Sequence, residues 1–169
     1  MEKIHDIASP MLFTPDVLAV FIAFLTYASI MDLKTRKISD NFNRIFLLTA
    51  LMFMYLTNVL EVFSIKRDSW MIASYSNYIG MALGFLILFI PAFIKNVPMG
   101  GDIKLSAVVG FWVGAKAIPI ILLFAVLSGF TYVMTRNMLY PYVSRQESIP
   151  FAPFILVGSI LFYGIAIFV

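Results

Sequence analysis

Long apolar runs separated by short polar stretches dominate this sequence from residue 16 onward. They cover residues 16–31, 45–63, 78–94 and 103–135, and a last run starts at 150 or 151 and reaches 169. Runs near ~20 residues have the length at which a helix crosses a bilayer. The run 103–135 is too long for one crossing. Helical throughout, it would reach roughly 50 Å against a hydrocarbon core of ~30 Å. Gly114-Ala115-Lys116 is its natural break. The pattern therefore predicts helices over 103–113 and 117–135. The first of these is too short to span alone, unless it begins within the membrane or the bilayer thins there. Thr14-Pro15-Asp16 reads as a helix start, with Thr as cap, Pro at the first position and Asp in the first turn. The expectation is an all-α polytopic membrane helix bundle of about six transmembrane helices, a single domain over residues 1–169.

Small residues indicate where helices meet. Gly80 and Gly84 have GxxxG spacing, and Ser106, Gly110 and Gly114 repeat every four residues. Both patterns predict close helix packing in lipid.

Composition agrees with the pattern. The chain is 62% hydrophobic and 12% charged, about half the ~25% charge of soluble domains. Mean hydropathy is +0.95. The twelve Lys and Arg residues form no stripe, which argues against a nucleic-acid partner. They instead set orientation. Lys34, Arg36, Lys37, Arg44, Lys95, Lys104, Arg136 and Arg145 fall in the loops or helix ends after the first, third and fifth predicted helices; Lys3, Lys66, Arg67 and Lys116 fall on the other side. This two-to-one bias predicts cytoplasmic odd-numbered loops and both termini outside. The absence of cysteine and the single histidine, His5, speak against disulfides, thiol catalysis, a Cys- or His-based metal site and a His-based triad. No metal or organic cofactor is expected.

The chemistry concentrates at Pro98-Met99-Gly100-Gly101-Asp102-Ile103-Lys104-Leu105. An ionisable residue at the edge of lipid is costly and is a functional candidate. The Gly100-Gly101 step is expected to shape a loop that presses Asp102 against a neighbouring helix. Asp32 closes the first predicted helix and Asp102 opens the fourth, so alternating crossings put both carboxylates on the same, cytoplasmic face. Two acids at one depth can share a proton, the arrangement of an aspartic protease: one takes a proton from water while the other polarises the scissile carbonyl. The blander reading is that an Asp at a helix end is a cap or a solvated interfacial group. Asp16 and Asp40 are read that way, as a first-turn and a loop residue. Lys104 is either a snorkelling interfacial lysine or a charge that acts on Asp102.

Three motifs carry a family resemblance. Asp32-Leu-Lys-Thr-Arg-Lys-Ile-Ser-Asp resembles the first catalytic motif of type IV prepilin peptidases, an Asp and basic residues followed by Ile-Pro-Asn. Met99-Gly100-Gly101-Asp102-Ile103-Lys104-Leu105 resembles their second, Gly-x-Gly-Asp-x-Lys-Leu. Ile149-Pro150-Phe151-Ala152-Pro153-Phe154 is similar to the Pro-Phe-Gly-Pro that opens their last helix. The sequence departs from the pattern at Met99, at Ser39-Asp40 and at Ala152. With no cysteine, it resembles the short, peptidase-only members that lack the methyltransferase region. The resemblance implies an aspartic endopeptidase of the prokaryotic inner membrane with Asp32 and Asp102 as its dyad. Gly100 and Gly101 would shape the loop, Lys104 would tune charge, and Pro150 and Phe151 would start the helix that packs nearby. The implied partners are the lipid bilayer and a prepilin or pseudopilin with a basic leader and a hydrophobic helix, cut on the cytoplasmic side; a homo-oligomer is left open. The alternatives are a related Gly-x-Gly-Asp protease, a small proton-coupled transporter using the same acids, and a structural subunit of a secretion machine. The transporter reading expects a repeat between the chain's halves, and none is apparent in the sequence.

Overall fold

A computed structural model describes residues 15–62, 75–95, 100–139 and 149–168. These residues form five helices: α1 (Pro15–Thr35), α2 (Asp40–Val62), α3 (Tyr75–Lys95), α4 (Gly100–Leu139) and α5 (Ala152–Phe168). α1, α3 and α4 are long and apolar enough to cross a membrane. The predicted fourth and fifth helices are the two arms of α4. They meet at Gly114, whose φ of 80° and ψ of 174° are not helical. A left-handed φ is open to glycine without the Cβ clash other residues meet. The Ala115 N–H just past the break donates to Ser76 Oγ on α3 at 3.1 Å, so α3 supplies a partner where the helix is interrupted.

α3 and the first arm of α4 cross backbone to backbone. A Cβ at Gly80 would collide with the carbonyl of Gly110, and one at Gly84 with that of Ser106. Ser106 Oγ donates to Gly84 O at 2.6 Å across the same contact. The two small-residue patterns in the sequence therefore pack against each other.

The core lies between α1, α2, α5 and both arms of α4. Trp112 is fully buried, its ring centroid 5.6 Å from Phe21 on α1 and 5.3 Å from Phe46 on α2. Its indole N–H donates to Phe46 O at 3.3 Å, so the polar atom of the largest core side chain is matched. Phe24 stacks on Phe46 at 4.8 Å, and Tyr163 of α5 meets Phe21 edge-on at 6.4 Å. Large apolar side chains such as Phe93, Leu123 and Met138 stay exposed on the outside, as a lipid-facing surface requires.

Several helix ends differ from the apolar runs; α3 starts at Tyr75 and α4 runs from Gly100 to Leu139. α1 continues past residue 31 to Thr35, and α2 starts at Asp40 rather than near 45. Asp40 is thus a first-turn residue of α2, not a loop residue. The extension of α2 is amphipathic: Phe42 and Phe46 are buried while Asp40 and Arg44 are exposed. α5 starts at Ala152, and Pro150 and Phe151 precede it.

The α3–α4 crossing makes a direct prediction. Gly110→Ala should lower stability by about 1–3 kcal/mol, because its methyl group meets backbone that cannot turn aside. Gly164→Ala, whose Cβ enters open space, should leave stability unchanged or slightly higher. Thermal unfolding of both variants in detergent checks the contrast.

Candidate active site

The last turn of α1 brings Asp32 into the protein. Its side chain is only 4% exposed. The helix stops just after it: Arg36 takes a left-handed φ of 52°, and its N–H donates to Asp32 O at 2.8 Å. This is a left-handed helix stop made by a residue other than glycine. Thr35 Oγ1 donates to Met31 O and to Lys37 O, at 2.8 and 2.9 Å. The chain therefore turns tightly at Arg36 and Lys37, just past the end of α1, and leads on into α2.

Asp102 lies in the first turn of α4 and is half-buried. It is near enough to Asp32 for the two charges to act on each other. Two further contacts bind this end of α4 to the segment after Asp32. A Cβ on Gly101 would lie 3.3 Å from Ile38 Cβ and 3.4 Å from Ile38 O, so α4 rests directly on the turn. Lys104 Nζ lies 2.7 Å from Asp40 Oδ1 in an exposed ion pair.

These placements bear on two expectations. Gly100 and Gly101 form no loop: both are helical, in the first turn of α4. Gly101 permits a close approach to Ile38, whereas a Cβ on Gly100 would meet nothing within 4 Å. The reason is that a helix can start on glycine when its next turn is anchored, and Ile103 and Leu105 are buried. Lys104, read either as a snorkelling lysine or as a charge acting on Asp102, pairs with Asp40. Met99 lies outside the described residues.

The amino end of α5 completes the site. Ala152 N–H donates to Asp32 Oδ2 at 3.0 Å across 120 residues of sequence. Phe151 O accepts from Phe154 N and Ile155 N, at 3.0 and 3.3 Å, so Phe151 is the cap residue of the helix. Pro150 and Phe151 are partly buried beside it. Sequence reasoning noted Ala152 only as a departure from a motif; the signal for it was the paired prolines, Pro150 and Pro153, around a small residue at a helix start. Asn43, on the first turns of α2, was not singled out at all. It is 5% exposed, and its side-chain amide has no hydrogen-bond partner among the described residues.

Among the described residues, no three acidic, histidine or cysteine side chains group as metal ligands. The arrangement offers two interacting carboxyl groups, one held by a backbone donor, at an end where four helices converge. Such a pair can move protons to and from a bound water and a carbonyl.

The sequence profile of the Type IV leader peptidase family matches residues 19–134. A protein of Bacillus subtilis (strain 168) described as "Prepilin leader peptidase/N-methyltransferase" is 36% identical over 149 residues, which is 85% of this chain and 53% of the relative. The chain thus spans about half the length of that curated relative. No solved structure matches.

The Lys104–Asp40 pair gives a titration test. The Lys104 ammonium, by hydrogen bond and by charge, holds the Asp40 carboxyl below its ordinary value of 3.8. A lowered folded-state value contributes stability that is present above the ordinary carboxylate range and lost as pH falls through the lowered value. In Lys104→Gln, the Asp40 titration should move up toward 3.8, followed by carbon-13 NMR of labelled aspartate.

Proposed function

The chain belongs to the type IV leader peptidase family, and on that footing we propose that it is a membrane aspartic endopeptidase that removes the leader of a prepilin or pseudopilin at the cytoplasmic face. The observation that supports the reading is the packing of the first turn of α4, which carries Asp102, on the turn that follows Asp32: Gly101 lies against Ile38 and Lys104 pairs with Asp40. In the reaction, one carboxylate takes a proton from water as the water oxygen attacks the scissile carbonyl. The other, protonated, donates its hydrogen bond to the carbonyl oxygen. The tetrahedral intermediate then collapses as the amine leaves with a proton from the dyad. The nucleophile is water, and no metal or organic cofactor takes part.

The remaining residues act through position. Gly101 lets α4 lie on the turn after Asp32. The Lys104–Asp40 pair ties the first turns of α4 and α2 together at the rim. Pro150 and Phe151 start α5 so that its first N–H reaches Asp32. The substrate implied is a basic leader followed by a hydrophobic helix, which could lie along the exposed apolar surface while its leader stays in water.

Asp32→Asn and Asp102→Asn should each lower cleavage of a prepilin by at least about a hundredfold, since each removes a proton-transfer group. Folding should survive, because Asn keeps an oxygen acceptor for Ala152. Asp40→Asn, in an exposed ion pair, should be mild. Full cleavage by either dyad variant at normal expression would contradict the assignment.

Orientation is tested separately. The native chain has no cysteine, so single cysteines report without background. Those at Ser39 and Ser148 should be labelled from the cytoplasm and one at Ser69 from the opposite side; Ser69 and Ser148 lie outside the described residues. Labelling of position 39 from outside would put the dyad on the wrong face for a leader peptide.

A further inference from the structure

The first residues of a helix have N–H groups with no partner inside it. In α5 these donors are sharply limited. Pro153 has none, and Phe154 N–H is taken by Phe151 O. Ala152 N–H goes to Asp32 Oδ2 at 3.0 Å. Ala152 is fully buried and Asp32 nearly so, so bulk water has no room to replace this donor. α5 itself is held rigidly. A Cβ on Gly158 would lie 2.5 Å from Ile121 O and 3.0 Å from Ala125 N on α4, which leaves the helix no slack at that crossing. The donor is thus a fixed point carried by a docked helix.

We propose that the amino end of α5 is a positioning element for the reaction: Ala152 N–H grips Asp32 by Oδ2 and so aims Oδ1 at the attacking water. The inference rests on the peptidase reading above. An aspartate side chain has two rotatable bonds, and α1 alone fixes neither. One hydrogen bond from a rigid donor selects the orientation, which is the kind of alignment on which general-base catalysis depends. The requirement at position 152 is then a backbone N–H on a residue small enough for a buried site. It is not a side-chain function.

The test deletes the N–H. Pro is tolerated at the first helical position, so Ala152→Pro removes the donor while allowing the helix. Replacing Ala152 by lactic acid, which turns the amide into an ester, removes the same N–H at unchanged size and covers the case in which the proline variant fails to fold. Each full-length variant is purified in detergent and assayed on a prepilin. Both should lose about ten- to a hundredfold in kcat, the effect of a hydrogen bond to a charged group, with KM within about twofold since substrate contacts are untouched. Ala152→Gly, which keeps the donor, should recover most of the rate. An unchanged kcat in a folded N–H-deleted chain overturns the proposal, as does a loss confined to KM. A second readout needs no activity. Deleting the N–H should lower the thermal midpoint in the wild-type background but not in Asp32→Ala, where the acceptor is already gone. Equal shifts in both backgrounds overturn the proposal. If the wild-type chain cleaves no prepilin, the peptidase reading has failed, and this cycle alone decides whether α5 holds Asp32.

Discussion

A carboxyl group inside an apolar helix bundle must find a donor, because burial strips it of water and no solvent can be drawn in to replace it. Asp32 finds its donor at the far end of the chain, on the first residue of α5. That one bond dictates a good deal else. α1 must run a turn past its apolar stretch to carry Asp32 inward. α5 must begin at Ala152 and nowhere later. The turn after α1 must then reverse within a few residues so that α2 and α4 can close over the same end. Arg36 accepts a left-handed φ of 52° there, a conformation that a residue with a Cβ adopts only when its surroundings hold it.

The second acid is delivered by a different device. α3 and the first arm of α4 approach until carbonyls and Cα atoms touch, which only Gly80, Gly84, Gly110 and the small Ser106 allow. The arm ends at Gly114, where the helix breaks and Ser76 receives the Ala115 N–H. With its length set by the break and its depth set by the crossing, the arm places its first turn beside the turn that follows Asp32. Asp102 and Gly101 occupy that first turn. The packing of small residues, a feature of helices in lipid, thus fixes the height of the turn that carries Asp102.

Much of this was legible in the sequence. Apolar runs placed every described helix; the length of the run from 103 to 135 called for a break, and Gly114-Ala115-Lys116 marked its place. The fourfold spacing of Ser106, Gly110 and Gly114 and the Gly80–Gly84 pair named the two faces that pack. Counting crossings put Asp32 and Asp102 at one end. What stayed hidden depends on side-chain direction and on backbone donors. Periodicity cannot tell that Lys104 pairs with Asp40, which lies on another helix 64 residues away in sequence. It cannot see that Gly100 and Gly101 are helical, because glycine's low helix propensity is overridden here by the anchored turn that follows. The partner of Asp32 is an N–H, which every residue but proline carries, so no residue type could have announced it.

The central claim is that Asp32 and Asp102 act together on one water, with no metal and no other protein. Its most direct test is cleavage of a prepilin by the purified chain alone, in detergent and excess chelator. The account predicts release of the leader as a discrete fragment at the same rate with and without chelator. A folded chain that releases no leader, or one whose activity disappears on chelation and returns with added metal, would contradict it.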